Sequence, residues 1–355
     1  MAKESDNVSI SLILPCYNVG GYIKECLQSI VDAKLQIEES RNIKVYLIND
    51  GSTDNTKSVA EEFVISYPNL FFLHNQENGG VANARNKGLS FVDTDYLVFL
   101  DPDDYISPDF FKDIFELIDS NDFDLITYDI QNFYAETGEL SEVFKGMEQN
   151  CLNTKWTVNG SLASKVIKSS IVDGISFTNN LIYEDAEFSY KILANVNNYY
   201  YHSKILYFYR VGRENSITTI RKNKVEDIFT VLKNIYEFFK SNDLLTTENT
   251  EGIEYQFIKT LFWSNFYRQI KYSGLNIHDG SLRMRKTKNF LEKYFPNWEN
   301  NKLLHNSIYL RNLIGKNYLN LLPLIGKNLL DTYFVLICFQ LNKYIKRKSN
   351  KVKEV

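Results

Sequence analysis

The chain has 355 residues, 44% of them hydrophobic and 24% charged, which fits one large or two ordinary globular domains and excludes a disordered or fibrous protein. Its net charge is −4, yet ten Lys/Arg against two Asp/Glu between Asn301 and Val355 put +8 on that stretch and leave −12 on the rest. An acidic body with a confined basic tail is not the pattern of a nucleic-acid binder; it suits a body that handles a cation-bridged substrate and a tail that meets anionic lipid.

The segment Met1 to Asn7 is polar and lacks the apolar core of a signal peptide. Val8 to Leu14 reads as a buried strand ended by Pro15, and Gly20-Gly21 turns the chain into a helix, roughly Tyr22 to Ala33. Ile43 to Ile48 is a second strand, stopped by Asn49-Asp50-Gly51-Ser52. Thr53 or Asp54 is placed to cap the following helix, roughly Asn55 to Ser66. Leu70 to His74 is a third strand, Gly79-Gly80 opens a helix through Leu89, and Tyr96 to Leu100 is a fourth strand. Strands alternating with helices predict a parallel, doubly wound α/β sheet, whose ligand crevice lies beyond the carboxyl ends of the strands. The polar clusters Cys16-Tyr17-Asn18, Asp50 and Asp101 to Asp104 all fall at such ends. Beyond Tyr105 the pattern is mixed α and β to about Thr219. Helical spacing resumes from Val225, which divides the chain into a region 1–220 and a helical C-terminal region 221–355.

Four motifs carry chemistry. Asp101-Pro102-Asp103-Asp104 crowds three carboxylates beside a stiffening proline, a donor set for a hard cation such as Mg²⁺ or Mn²⁺, which takes one or two carboxylates plus substrate phosphate. The same residues also read as an acidic turn before a helix. Asp50 in Asn49-Asp50-Gly51-Ser52-Thr53-Asp54 is suited to hydrogen-bond a base or ribose, or else to cap a turn. Asn78-Gly79-Gly80, with Arg85 one turn on, resembles a phosphate cradle without the spacing of a P-loop or dinucleotide fingerprint. Tyr183-Glu184-Asp185 places a carboxylate where it can take a proton from a hydroxyl, or where it simply favours a helix N-terminus.

In order and spacing, Ser11 to Asn18, Asn49 to Asp54, Asn78-Gly79-Gly80 with Ala84-Arg85-Asn86, Phe99 to Asp104, and Tyr183-Glu184-Asp185 resemble glycosyltransferase family 2. The likeness runs from about Val8 to about Thr219, where Tyr209-Arg210 and Ser216-Ile217-Thr218 are similar to the segment after the last core strand. It implies a GT-A fold, a Rossmann-like, mostly parallel sheet flanked by helices. It implies that Pro15, Tyr17, Asn18, Asp50, Arg85 and Asp101 bind the nucleotide, and that Asp103 binds Mn²⁺ or Mg²⁺. Asp185 becomes the general base, with Glu184 beside it and Trp156 on the acceptor side, although Trp156 also suits a core. Asn49 and Pro102 depart from the family pattern without removing a ligand.

The family chemistry is inverting transfer of a hexose or N-acetylhexosamine from a UDP-sugar to a saccharide acceptor, often lipid-linked, in surface polysaccharide or capsule synthesis. Two other classes compete. A nucleotidyltransferase needs a basic Gly-rich loop after the first strand, and Val19-Gly20-Gly21-Tyr22 has no basic residue. A non-catalytic binding module on the same scaffold predicts loss of Asp103 or Asp185, and both are present. No stretch reaches the roughly 18 unbroken apolar residues of a spanning helix. Cys16, Cys26, Cys151 and Cys338 show no disulfide or metal spacing, so a cytoplasmic protein is expected. Tyr333 to Phe339 followed by Lys343, Lys346, Arg347 and Lys348 suggests peripheral association with an anionic membrane. The aromatic-rich C-terminal region is compatible with a homodimer.

Overall fold

Parallel pairing shapes the first hundred residues. A computed structural model describes residues 8–147, 154–212, 226–261 and 277–303. By contact pattern the chain divides into two units, Met1–Met147 with Val158–Ser216, and Glu148–Thr157 with Ile217–Val355.

The first unit opens with β1 (Ile10–Cys16), α1 (Ile23–Lys34), β2 (Ile43–Asp50), α2 (Thr56–Ser66), β3 (Phe71–Gln76), α3 (Val81–Leu89) and β4 (Tyr96–Phe99). β1 pairs in parallel with β2 on one side and β4 on the other, Ile10 facing both Ile43 and Tyr96. β2 pairs in parallel with β3. Helices cover both faces of such a sheet, which is why Ile10, Leu12, Ile13 and Leu14 are all fully buried and the strand reads as an apolar run interrupted only by Ser11. β1 and β2 reach two residues further toward the crevice than hydropathy alone suggests, to Cys16 and Asp50, because pairing continues into polar residues.

The chain continues through β5 (Tyr105–Ile106), α4 (Phe110–Ser120), β6 (Leu125–Tyr134), β7 (Leu140–Phe144), β8 (Lys165–Lys168), α5 (Glu184–Ile192) and β9 (Tyr199–Val211). The described strands form one sheet in the order β3-β2-β1-β4-β8-β6-β9-β5, with β7 paired to β6. β8 runs antiparallel to β4 and β6, whereas β9 runs parallel to β6. This mixed α/β sheet is the GT-A fold. The strand order reverses direction at β1, between β2 and β4, and a ligand crevice is expected outside the carboxyl ends there.

The second unit holds α6 (Asp227–Ser241), α7 (Thr247–Ile258) and α8 (Ile277–Tyr294). The predicted helical run from Val225 is thus broken at residues 242–246. There the hydroxyl of Thr246 accepts from the Asn249 backbone N–H at 3.2 Å and caps α7. Phe257 packs edge-on against Phe295 at 5.1 Å, and Tyr236 packs against Tyr294 at 4.8 Å. Among the described residues no helix is long and apolar enough to cross a membrane. The basic segment suggested to meet lipid lies outside the described residues.

Candidate active site

Five elements, β1, β2, α3, β4 and α5, deliver the predicted residues to the crevice end of the sheet. Pro15 is the next-to-last residue of β1, which ends at Cys16, and Tyr17 follows the strand, 48% exposed. Asn18 takes a left-handed conformation (φ 50°), and its side-chain oxygen accepts from the Thr53 backbone N–H at 2.8 Å. That bond ties the turn after β1 to the turn after β2. Asp54 reinforces the join: its carboxylate accepts from the Gly20 and Thr56 backbone N–H groups, both at 2.9 Å.

Asp50 is 2% exposed, and both its oxygens are engaged by protein. Oδ1 accepts from Gly79 N–H at 2.8 Å and from the Gln76 amide at 2.7 Å, while Oδ2 accepts from Gly80 N–H at 2.8 Å. Asp50 therefore fixes the glycine loop that starts α3. Gly80 sits at φ 84°, a conformation that a side chain would strain. At the far end of α3, Gly88 lets the helix lie close on the sheet: a Cβ there would come within 2.3 Å of Ile13 Cγ2. These contacts set the position of Arg85 between them.

Arg85 is buried and bridges two motifs. Its Nη1 donates to Glu184 Oε1 at 2.7 Å and its Nη2 to Asp101 Oδ1 at 3.1 Å. The guanidinium lies 5.6 Å from the Phe177 ring, and Phe177 stacks on Phe188 of α5 at 4.2 Å. Asn86 adds a reciprocal pair with the Phe177 backbone, accepting from its N–H at 2.8 Å and donating to its carbonyl at 2.9 Å. Helix α3 thereby holds the segment that leads into α5.

The acidic turn distributes its three carboxylates. Asp101 is half-exposed and faces Arg85; Asp103 is intermediate in exposure. Asp104 points inward, 1% exposed, accepting from Tyr207 Oη at 2.6 Å and from the Arg210 backbone N–H at 2.8 Å. Burial, then the neighbouring Asp103 and Asp101, push the Asp104 carboxyl well above the ordinary carboxylate range. Arg210 also donates from Nε to the Asp103 carbonyl at 2.7 Å and pairs with Glu25 of α1, beneath Phe133 at 4.5 Å. This fastening by Asp104, Tyr207, Arg210 and Glu25 was not legible as a site in the sequence; only the Tyr209-Arg210 pair carried a signal, without a role.

Asp185 occupies the first turn of α5, whose preceding residue, Tyr183, is left-handed at φ 70°. A non-glycine residue held in that region is locally strained, a feature that clusters at functional sites. Burial raises the Asp185 carboxyl above its ordinary value, against the pull of Arg85. Glu184 is raised likewise by burial, and Asp185 adds to the effect. Lys165 of β8 is fully buried with its Nζ on the Asn159 carbonyl at 2.7 Å and the Ser161 carbonyl, and its charge reaches Asp185.

Trp156, expected on the acceptor side, is instead a core residue of the second unit, 1% exposed. Its ring lies against the backbone of Gly252, where a Cβ would meet Cδ2 at 2.0 Å, and against Phe239 at 5.8 Å. The Gln256 amide donates to its carbonyl. At that burial no surface is left on which a sugar ring could stack.

Residues 11–177 match the family model described as glycosyl transferase family 2. That match spans slightly under half of the chain. The structure resembles S. aureus TarS residues 1–349, solved in complex with UDP-GlcNAc, with a TM-score of 0.68 and 20% identity, covering 96% of this chain and 92% of that one. At that identity the likeness speaks for the fold. In sequence the chain is 29% identical over 294 residues to the minor teichoic acid biosynthesis protein GgaB of Bacillus subtilis, covering 79% of this chain and 32% of GgaB. It is 25% identical to glycosyltransferase GlyG of Streptococcus pneumoniae, covering 57% of this chain and 70% of GlyG. The chain thus spans about a third of GgaB's length and a little over two thirds of GlyG's.

Proposed function

We propose that the protein is an inverting glycosyltransferase that moves a hexose or N-acetylhexosamine from a UDP-sugar to a hydroxyl of a saccharide acceptor during synthesis of a cell-surface glycan. The observation that carries this reading is the Arg85 bridge, which joins Asp101 at the end of β4 to Glu184 beside Asp185. Two acidic motifs far apart in sequence meet at the carboxyl ends of the strands, where donor and acceptor must also meet. GgaB and GlyG, a teichoic acid biosynthesis protein and a glycosyltransferase, support the class of reaction, and TarS bound to UDP-GlcNAc supports a UDP-linked donor.

Within this reading the turn after β1 and Asp101 hold the nucleoside, with Tyr17 and Asn18 at the mouth. Asp50 acts indirectly, by shaping the Gly79-Gly80 loop. Asp103 is the carboxylate for Mn²⁺ or Mg²⁺, and the turn suits a hard ion: oxygen donors, held rigid by Pro102 and by the Arg210 contact to the Asp103 carbonyl. A bound ion would neutralise charge on the leaving diphosphate. Asp185 takes the proton from the acceptor hydroxyl as that oxygen attacks the anomeric carbon from the face opposite the leaving group. One displacement inverts the centre, so a single carboxylate base suffices, unlike the paired carboxylates of glycoside hydrolysis. The acceptor is a saccharide, lipid-linked in one natural form.

The test is calorimetric titration with a panel of nucleotide-sugars, with and without Mn²⁺, on the wild type and on Asp103→Ala. We expect one UDP-sugar to bind in a metal-dependent manner and Asp103→Ala to lose that dependence. A folded protein that binds no nucleotide-sugar with metal present would sink the reading.

A further inference from the structure

Arg85 stands where a phosphate ligand would be sought, yet its contacts point elsewhere. A phosphate-binding arginine offers its forked donors to the ligand. Here both terminal nitrogens are used by protein carboxylates, Glu184 Oε1 at 2.7 Å and Asp101 Oδ1 at 3.1 Å. The residue is 6% exposed, backed by Phe177, and its Nε is buried with no hydrogen-bond partner. The guanidinium is therefore oriented by the two carboxylates and not by an even satisfaction of its donors.

We propose that Arg85 is a positioning residue for the general base, fastening the first turn of α5 to the acidic turn after β4, and is not a ligand of the nucleotide. The proposal deepens the reading of Asp185 as base and rests on it. The charged groups that act on Asp185 are Arg85 from α3, Asp101 from the acidic turn, Lys165 from β8, and its own neighbour Glu184. Three of these four sites concern the same balance: Arg85 compensates Asp101 and Glu184, and what remains of its charge favours the ionised Asp185. Lys165 is held by the Asn159 and Ser161 carbonyls on the other side and adds a fixed positive charge. Removing Arg85 leaves three carboxylates without their buried cation, which is costly at low dielectric. It also frees the start of α5, where the left-handed Tyr183 already strains the backbone.

The experiment follows the Asp185 carboxyl carbon by NMR across pH in protein labelled at the aspartate carboxyls. The resonance is assigned by its loss in Asp185→Asn. Wild type, Arg85→Gln, Arg85→Lys and Glu184→Gln are compared, each also titrated with UDP and Mn²⁺ by calorimetry. Arg85→Gln is expected to raise the Asp185 midpoint by about one pH unit or more, and Glu184→Gln to lower it. Arg85→Lys keeps the charge but not the fork, and its midpoint falls between wild type and Arg85→Gln. UDP affinity is expected to stay within about threefold in all three. A midpoint that moves in neither Arg85→Gln nor Glu184→Gln overturns the proposal. A loss of UDP binding of about tenfold or more in Arg85→Lys overturns it too, by returning Arg85 to the nucleotide. Should Arg85→Gln not fold, Arg85→Lys and Glu184→Gln carry the test through the opposite signs of their shifts. A wild type that binds no UDP speaks against the donor assignment alone, because the titration of Asp185 is read without donor.

Discussion

Asp185 joins two demands that pull against each other. As the proposed base it must be ionised to accept a proton, whereas partial burial in the first turn of α5 favours its neutral form and raises its carboxyl above the ordinary range. The sign for stability follows from that direction. A carboxyl whose folded pKa is raised binds its proton more tightly in the folded state, so stability falls as pH rises from the unfolded value, about 3.9, toward the folded one. At neutral pH the ionised Asp185 therefore costs stability, and Asp185→Asn is expected to raise the melting temperature by about 2 °C or more while lowering transfer by about 10²-fold or more. Scanning calorimetry at several pH values, beside a turnover assay, checks both; the gain in stability should shrink at acid pH, where Asp185 is protonated in the wild type. For the same reason the acid limb of activity is expected above the ordinary carboxylate range, rising with pH. A limb at or below that range would place the base elsewhere.

At the scale of elements, the crevice depends on two close approaches. Strand β9 grips the acidic turn through Tyr207 and Arg210, with the Asp101 backbone N–H donating to Tyr207 Oη at 3.3 Å as the Tyr207 hydroxyl donates to Asp104. Tyr207→Phe keeps the ring and removes both bonds, leaving the buried Asp104 with the Arg210 N–H; urea unfolding is expected to show a loss of about 1–3 kcal/mol. Helix α3 lies close on β1 because Gly88 has no side chain. Gly88→Ala is expected to cost about 1–3 kcal/mol, despite alanine's better helix propensity, because the methyl meets Ile13. A neutral or stabilising outcome would show that α3 moves away without penalty. The first four strands and their helices were legible in the sequence because each is a short apolar run closed by turn residues. The β9 grip was not, because it joins Glu25, Asp104 and Arg210 across long stretches of chain with no periodicity to announce it. The acidic turn was legible as a triplet, but which carboxylate turns inward depends on Tyr207, a strand residue indistinguishable from its aromatic neighbours Tyr199, Tyr200 and Tyr201.

At the scale of the whole molecule, the chain is two units, and the short piece Glu148–Thr157 belongs with the second. Trp156 was misplaced for that reason: its packing partners Gly252, Phe239 and Gln256 are far along the chain, and a tryptophan before a catalytic motif reads equally as a stacking platform. Gly252→Ala is expected to destabilise this unit by about 1–3 kcal/mol, read as faster amide exchange in α7. The proposed function holds that the site joined by Arg85 performs inverting transfer, with Asp185 as base. Its most direct measurement is proton NMR of the sugar first released from the α-linked UDP-sugar that binds, with water as acceptor, by the wild type and by Asp185→Asn. Inverting transfer with Asp185 as base gives a β-configured initial product from the wild type and almost none from Asp185→Asn; an α-configured product, or equal release by both, would rule it out.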